Sequence, residues 1–167
     1  MSEGQPEPGN VCIRPAEEGD FDKIVVLELE TFGRGAWSPR TVDAELAEMG
    51  TSRFIAVAVA GEEVIGWAVL SYGGEMADVQ RLAVASPQRG RGLAGQLLDR
   101  LLVEAVHRGC ERILLEVAAD NPAAQRLYGA RGFVEIAQRP RYYPGDVDAV
   151  VMELVLQGPS ASLEETT

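Results

Sequence analysis

A glycine- and arginine-rich stretch between an apolar segment and a long amphipathic segment restricts the fold of this chain most. The apolar segment from Val79 to Val84 predicts a β-strand, and residues 92–107 carry apolar side chains at the spacing of one helix face. Glycines between them let the backbone approach a ligand closely, and the first amides of the helix would point at an anion. The pattern therefore predicts a phosphate-binding loop with these candidate residues: Arg89, Gly90, Arg91, Gly92, Leu93, Ala94 and Gly95.

Two phosphate-binding motifs overlap in this loop. Gly90, Gly92 and Gly95 match the dinucleotide pattern G-x-G-x-x-G, and Glu116 follows at roughly the distance of a ribose-binding acid. That pattern requires its first glycine in a tight turn directly after the strand. Residues 85–89, which include a proline, intervene here. The dinucleotide interpretation is therefore the weaker one.

The other motif is R-x-x-G-x-A, from Arg89 to Ala94, which follows the strand Gln80–Val84. Here the sequence resembles the GNAT superfamily of acyl-CoA-dependent N-acetyltransferases. The signature of that superfamily is Q/R-x-x-G-x-G/A at the start of a helix that grips the CoA pyrophosphate. The resemblance implies acetyl-CoA as co-substrate. Gly90 stands where an arginine is common in relatives, and Arg91 follows one place later, so the individual phosphate contacts stay open.

Charge restricts the partners of the chain. The formal net charge is −11 over 167 residues, which disfavours direct binding of nucleic acid. Between Asp78 and Arg100 the arginines outnumber the acids, so an anionic cofactor is compatible with the acidic whole. The acidic remainder would attract a basic partner, although surface acids that only confer solubility fit the composition equally well.

Cysteine usage and the termini predict a cytoplasmic protein. The two cysteines and the single histidine lack metal-ligand spacing, so we expect no metal and no disulfide. The first residues lack the order of a signal peptide, and no apolar run is long enough for a bilayer, so we expect no membrane contact. We expect a monomer or weak dimer. The tails 1–10 and 157–167 are polar and predict disorder.

The pattern from residue 11 to 156 predicts one α/β (α+β) domain: a mixed sheet of six to seven strands flanked by about four helices. The predicted element order is strand, two helices, three strands, helix, strand, helix and two strands. The GNAT fold has the same order, and its sheet is splayed at the acetyl-CoA site. We expect Asp20 and Ser38 to cap the first two helices. The predicted strands are 11–15, 53–59, 63–70, 79–84, 112–117, 133–138 and 148–156, with residues 139–145 as a connection.

Acetyl transfer to an amine needs a proton acceptor for the amine and a proton donor for the leaving thiolate. Glu116 lies on the same face of strand 112–117 as Leu114. A carboxylate is costly to bury, so it should lie where the sheet opens to solvent or ligand, as a candidate base. The alternative is an exposed glutamate at a strand end.

Tyr128 lies on the same side of its helix as Ala124 and is a candidate donor, although a helical tyrosine beside a leucine is more often part of a core. Asn121 is either a simple helix cap or a cofactor contact. Trp37 lies on or beside a loop, where an isolated tryptophan is more often a core anchor than a ligand contact.

Three segments together resemble the RimI-type branch of GNAT enzymes: Leu115–Asn121, Leu127–Phe133 and Arg141–Pro144. Members of that branch acetylate the N-terminal alanine of a small-subunit ribosomal protein. The resemblance implies Glu116 as proton acceptor and Tyr128 as proton donor. It further implies that Asn121, Leu82, Ala83 and Val84 contact the cofactor and that Trp37, Tyr142 and Tyr143 flank the peptide.

Two other functions fit the sequence. One is a GNAT enzyme that acetylates a small amine, such as an amino sugar, a polyamine or a free amino acid. The other is a non-catalytic CoA-binding sensor, which would bind ligand and form no acetylated product.

Overall fold

The computed structural model describes residues 10–156, so the predicted tails 1–10 and 157–167, apart from Asn10, lie outside the described residues. The elements follow the predicted order. The α-helices are α1 (Phe21–Phe32), α2 (Pro39–Ala47), α3 (Leu93–His107) and α4 (Pro122–Gly129). The strands are β1 (Val11–Pro15), β2 (Arg53–Ala60), β3 (Glu63–Gly73), β4 (Met76–Val84), β5 (Arg112–Ala118), β6 (Val134–Tyr143) and β7 (Val147–Val155).

The strands form a seven-stranded sheet in the order β1-β2-β3-β4-β5-β7-β6. β4 and β5 run parallel, whereas β1–β2, β2–β3, β5–β7 and β6–β7 are antiparallel. The predicted mixed sheet with four helices is therefore confirmed. The parallel pairing joins Met76–Asp78 to Arg112–Leu114, while β4 continues to Val84 and β5 continues to Ala118.

The described residues form two compact units. Residues 10–71 and 80–103 make up the first unit, which contains β1, β2, β3, α1, α2 and the larger part of α3. Residues 72–79 and 104–156 make up the second unit, which contains β5, α4, β6 and β7. β4 contributes its first half to the second unit and its second half to the first.

In the first unit α1 and α2 pack on the β2–β3 hairpin. The apolar stripe of α1 follows the spacing i, i+3, i+4. Leu29 is 57% exposed, and Glu28 is fully buried in the stripe. The buried cluster contains Ile24, Leu27, Val42, Ile55, Val57, Trp67 and Val69.

The predicted cap of α2 is confirmed, because the Ser38 side chain accepts a hydrogen bond from the Thr41 amide at 3.1 Å and Pro39 occupies the first helical position. The predicted cap of α1 is wrong, since the Asp20 side chain makes no capping bond to that helix. Asp20 instead accepts two hydrogen bonds from the Arg14 guanidinium, at 2.8 and 2.9 Å, and one from the Glu17 amide at 2.8 Å. The ion pair outcompetes the cap for the same oxygens.

We expect Asp20→Asn to lower the free energy of unfolding at pH 7 by about 1.5 kcal/mol, the contribution of a hydrogen bond to a charged group. Hydrogen bonding from Arg14 lowers the pKa of Asp20 below its usual 3.8. Its stabilisation is therefore present above pH 3.8 and is lost as the pH falls through the lowered value. Urea unfolding at pH 7 and at acid pH measures the difference, with Asp22→Asn as the exposed control. A loss of the same size at every pH would contradict the assignment.

In the second unit β5 alternates between a buried and a half-buried face, as predicted. Ile113, Leu115 and Val117 are buried, whereas Leu114 and Glu116 are half-buried on the opposite face. β5 pairs with β7 from Arg112–Val155 to Ala118–Ala149. Glu116 is thereby placed at a defined register in the sheet, opposite Val151.

β6 is longer than predicted. It runs from Val134 to Tyr143, so most of the predicted connection 139–145 belongs to the strand. The pairing with β7 shifts register between Arg139 and Tyr143, and Arg141 adopts a positive φ of 55°. This irregular stretch disrupts the alternating pattern from which a strand is predicted, because residues there do not alternate strictly between faces. Among the helices of the described range, none combines the length and apolarity needed to cross a membrane.

Candidate functional site

In the first unit the predicted phosphate-binding loop precedes α3. Gly90 and Gly92 have positive φ values of 83° and 76°, while a Cβ at either position would meet no heavy atom within 4 Å. Glycine is therefore required by the backbone conformation rather than by space. The first helical bond joins the Gln96 amide to the Gly92 carbonyl at 3.1 Å. The amides of residues 93–95 precede it and have no carbonyl partner within the helix, which is the arrangement that suits a phosphate.

Two exposed arginines flank this start of α3. The Arg89 Nε donates to the Val84 carbonyl at 3.3 Å, and the Arg91 Nη1 donates to the Gln88 side chain at 3.0 Å. Both bonds lie within the loop, so they bring two positive charges to the helix start. This geometry fits the pyrophosphate of CoA, which needs amide donors and cationic neighbours.

The segment Leu82–Val84 ends β4 beside β3. The Ala85 amide donates to the Ile65 carbonyl at 2.7 Å. A Cβ at Gly66 would lie 3.0 Å from Leu97 Cδ1 and 3.1 Å from the Ala83 carbonyl oxygen. The absence of a side chain at Gly66 therefore lets β3 approach both α3 and the backbone of the candidate cofactor segment.

In the second unit Glu116 lies within a polar cluster. Its side chain is 25% exposed, and its Oε1 lies 3.2 Å from the Nε of Arg139. Interaction with the Glu116 carboxylate, first through hydrogen bonding and then through its negative charge, raises the pKa of the exposed Tyr142. The ring of Tyr142 lies 5.6 Å from the Arg139 guanidinium carbon and 5.0 Å from the Tyr143 ring. The structure thus brings Glu116 together with both tyrosines predicted to flank the peptide.

Tyr128 on α4 is 8% exposed and packs edge-on against Phe133, with ring centroids 5.9 Å apart. Burial, reinforced by the nearby Tyr143, raises the pKa of Tyr128 to about 12. The phenol therefore keeps its proton at neutral pH, and it can act as a donor but not as a base.

Asn121 and Trp37 both have structural roles: Asn121 caps a helix, and Trp37 packs against the core. The Asn121 Oδ1 accepts a hydrogen bond from the Ala124 amide at 3.2 Å and caps α4. Trp37 is half-buried against the cluster of the first unit, with its ring edge-on to Trp67 at 5.6 Å. These contacts account for both residues structurally, and their predicted ligand contacts stay predictions.

Sequence reasoning missed two charged residues of the second unit that lie near Glu116. Arg139 was placed in a connection, and its pairing with Glu116 depends on the irregular register of β6. Asp78 pairs in register with Leu114, which shares its face of β5 with Glu116. Burial, followed by the charge of Glu116, raises the pKa of Asp78. Asp78 lies one residue before the predicted strand 79–84, so the sequence pattern did not place it in the sheet.

We expect Asp78→Asn to stabilise the protein at neutral pH. Because the folded-state pKa of Asp78 lies above 3.8, its charge destabilises the fold above that raised value, and the effect disappears below 3.8. Thermal unfolding should therefore show a higher midpoint for Asp78→Asn at pH 7.5 and no difference at pH 3. In a Glu116→Gln background the gain should be smaller, since one source of repulsion is gone. A destabilised variant at pH 7.5 would contradict this account.

Cys110 lies in a setting that does not favour reactivity. The Cys110 thiol is buried, its pKa is raised by burial, and its sulfur lies 3.8 Å from the Met76 carbonyl oxygen. A raised pKa disfavours the thiolate that a covalent route would need. The described part of the chain contains no group of three or more His, Cys, Asp or Glu placed to hold a metal ion.

Comparison with known proteins establishes the family of the chain. Residues 21–133 match the family described as Acetyltransferase (GNAT) family. The chain belongs to this family.

Three proteins of known name or structure are similar to this chain. An Arabidopsis thaliana protein named N-alpha-acetyltransferase MAK3 is 35% identical over 81 residues, 48% of this chain and 43% of that protein. The crystal structure of the Escherichia coli ribosomal-protein-S18-alanine N-acetyltransferase superposes with a TM-score of 0.81 at 27% identity, covering 90% of this chain and 98% of that one. A NatC complex bound to Gag peptide and CoA gives 0.77 at 25% identity, covering 88% and 99%. The chain spans about two fifths of the length of the curated relatives it matches, 43% and 40%.

Proposed function

We propose that this protein transfers the acetyl group of acetyl-CoA to the N-terminal α-amino group of a protein. The observation that carries the proposal is the cluster in the second unit, where the carboxylate of Glu116 is half-buried and lies 3.2 Å from the Nε of Arg139. Tyr128, a buried phenol that stays protonated, belongs to the same unit. Proton acceptor and proton donor are the two groups that amine acylation requires.

The first unit supports the cofactor part of the proposal. The helix start behind Gly90 and Gly92, with Arg89 and Arg91 beside it, has the donors and the charge that a pyrophosphate needs. The backbone of Leu82–Val84 is proposed to meet the pantetheine and the acetyl carbonyl, and Asn121 to contact the cofactor as well. When bound, acetyl-CoA supplies the acetyl group in activated form, as a thioester.

In the proposed mechanism Glu116 accepts a proton from the incoming ammonium, directly or through a water molecule. An α-amino group titrates near ~8, so its deprotonation at neutral pH requires little free energy. The neutral nitrogen then forms a bond to the carbonyl carbon, and the carbon–sulfur bond breaks. The nitrogen loses its second proton to the departing sulfur, which leaves as the CoA thiol, and the proton held by Glu116 returns to solvent. Tyr128 holds a proton that it can direct at the departing sulfur.

The proposed substrate is a basic protein N-terminus, with the N-terminal alanine of a small-subunit ribosomal protein as the leading candidate. The similarity to the E. coli enzyme for protein S18 supports this candidate. The acidic chain, with a net charge of −11, would attract such a segment. Trp37, Tyr142 and Tyr143 are proposed to flank the peptide, and half of the Tyr142 surface is exposed for that contact.

The release of free CoA thiol, followed with a thiol reagent, tests the substrate class. The panel contains an Ala-Arg peptide with a free N-terminus, the same peptide blocked at the N-terminus, a polyamine, an amino sugar and free alanine. We expect release with the free peptide alone. Release with a small amine alone would assign the protein to the small-amine acetyltransferases. Binding of acetyl-CoA without release from any amine would make it a sensor.

A further inference from the structure

A buried ion pair in the first unit connects three elements and one loop. Glu28 of α1 is fully buried, and its carboxylate accepts hydrogen bonds from the Arg81 Nε and Nη2 at 2.8 and 2.6 Å. The indole of Trp67 on β3 donates to it at 3.0 Å, and the backbone amide of Trp37 donates at 2.9 Å. A buried carboxylate is costly unless donors satisfy it. These donors come from β4, from β3 and from the connection between α1 and α2.

Arg81, the partner of Glu28, also contacts the connection between α1 and α2. The Arg81 Nη2 also donates to the Gly35 carbonyl at 3.0 Å. Its guanidinium carbon lies 3.5 Å from the centroid of the Phe32 ring and 5.0 Å from that of Trp37, which is the geometry of a cation–π contact. We call residues 33–38 the α1–α2 loop. The ion pair holds this loop at the Gly35 carbonyl, at the Trp37 amide and at the Trp37 ring.

The ion pair makes hydrogen bonds to the backbone of the loop, which ordinary apolar core packing does not. Two apolar side chains of similar volume would fill the space equally well, and such replacements are often neutral or stabilising. Arg81 donates to a carbonyl of the loop and Glu28 accepts from an amide of the same loop, which two apolar side chains cannot do. Arg81 also stands directly before Leu82–Val84, the segment proposed to meet the acetyl group. The pair therefore joins that strand to the loop that carries Trp37.

We propose that Glu28 and Arg81 are positioning residues that fix the α1–α2 loop for the peptide substrate. The inference rests on the proposed peptide acetylation and adds two residues to it, neither of which is expected to touch the acetyl-CoA. A loop held at two backbone groups presents Trp37 in one place before the peptide arrives. Preorganisation of this kind lowers the cost of binding and orienting a substrate.

The test uses a double variant of the full chain, Glu28→Gln with Arg81→Met. Glutamine still offers an oxygen to the Trp67 or Trp37 donor, and methionine fills the space over Phe32, so no unpaired charge is left buried. The matched control is Glu45→Gln with Arg53→Met. That pair joins α2 to β2 in the same unit, with an Arg53 Nε to Glu45 Oε2 distance of 2.5 Å, and it does not bind the loop. Circular dichroism confirms that each variant is folded at the assay temperature.

Two readouts separate positioning from stability. We expect the kcat/KM for the peptide to fall by about 10- to 100-fold in the Glu28/Arg81 variant, as misplaced binding groups produce, while the KM for acetyl-CoA changes less than about twofold. The rate of trypsin cleavage after Arg34, which is exposed in the loop, should rise by about tenfold because release of the anchors allows local opening. The Glu45/Arg53 control should leave both values near those of the wild type.

An unchanged kcat/KM with unchanged cleavage at Arg34 would overturn the inference. So would parallel losses for peptide and acetyl-CoA in proportion to the unfolded fraction, since that is the signature of a merely structural pair. Failure of the proposed function looks different: the wild type itself would acetylate no peptide. Cleavage at Arg34 would still report, in that case, whether the pair fixes the loop.

Discussion

Glu116→Gln is expected to lower kcat for peptide acetylation by about 100- to 10,000-fold, the range of a lost general base. Glutamine has the shape of glutamate and keeps an oxygen that can accept a hydrogen bond. It cannot take up the proton of the incoming ammonium, and it loses the ion pair with Arg139. The effect should therefore fall on turnover. The Kd for acetyl-CoA, measured by calorimetry, should stay within about twofold of the wild-type value, because the proposed pyrophosphate contacts lie elsewhere in the chain.

The matched control for this substitution is Glu135→Gln. Glu135 is an exposed glutamate of β6 in the same unit, and its carboxylate accepts a hydrogen bond from the Gln138 side chain at 2.8 Å. Its replacement removes the same charge without touching the cluster around Glu116. A kcat of Glu116→Gln within about threefold of the wild type would remove Glu116 from the mechanism. Loss of acetyl-CoA binding would assign it to ligand binding instead.

Tyr128→Phe is expected to lower kcat by about 100-fold. Since burial raises the pKa of Tyr128 to about 12, full transfer of its proton to a thiolate, whose conjugate thiol has a pKa near ~8.5, would be uphill by about 5 kcal/mol. A hydrogen bond from the intact phenol to the developing charge on sulfur avoids that cost, and loss of one such preorganised donor lowers kcat by roughly 100- to 1,000-fold. Phenylalanine keeps the edge-on packing against Phe133.

Two measurements check the role of Tyr128. Because the phenol stays protonated below about pH 10, its ionisation should not lower the wild-type kcat in that range. The wild type and Tyr128→Phe should therefore show pH profiles of kcat with the same shape below about pH 10. Tyr72→Phe is the control, since the Tyr72 hydroxyl is buried and has no hydrogen-bond partner within residues 10–156. Equal turnover for Tyr128→Phe and Tyr72→Phe would show that Tyr128 only packs.

Local chemistry made much of the fold predictable. The glycines around α3 and the Ser38-Pro39 start of α2 act through bonds and angles within a few residues, so the sequence pattern indicates them directly. The helix between β4 and β5 implied their parallel pairing, because parallel neighbours need a crossover. β6 was harder. Its later half follows an irregular register set by β7, and only the partner strand determines that register.

The sequence likewise indicated some residues of the candidate site and not others. Glu116 stood out as a charge in an apolar strand, and Tyr128 followed from the resemblance to relatives. Asp78 and Arg139 are distant from Glu116 in sequence, so no local spacing connected them. Glu28 left a signal that went unused: it occupies a position four residues after Ile24, on the apolar stripe of α1. A charge at such a position predicts a buried partner but not which arginine supplies it.

The central claim is most directly tested on one peptide that begins Ala-Arg and contains a single internal lysine. The peptide is incubated with the protein and acetyl-CoA, and tandem mass spectrometry then locates the added acetyl group. The account predicts one acetyl group on the α-amino nitrogen of alanine and none on lysine, with the product absent in Glu116→Gln at equal times. Acetylation of lysine alone, or no product while acetyl-CoA binds, would contradict N-terminal acetylation as the function of this protein.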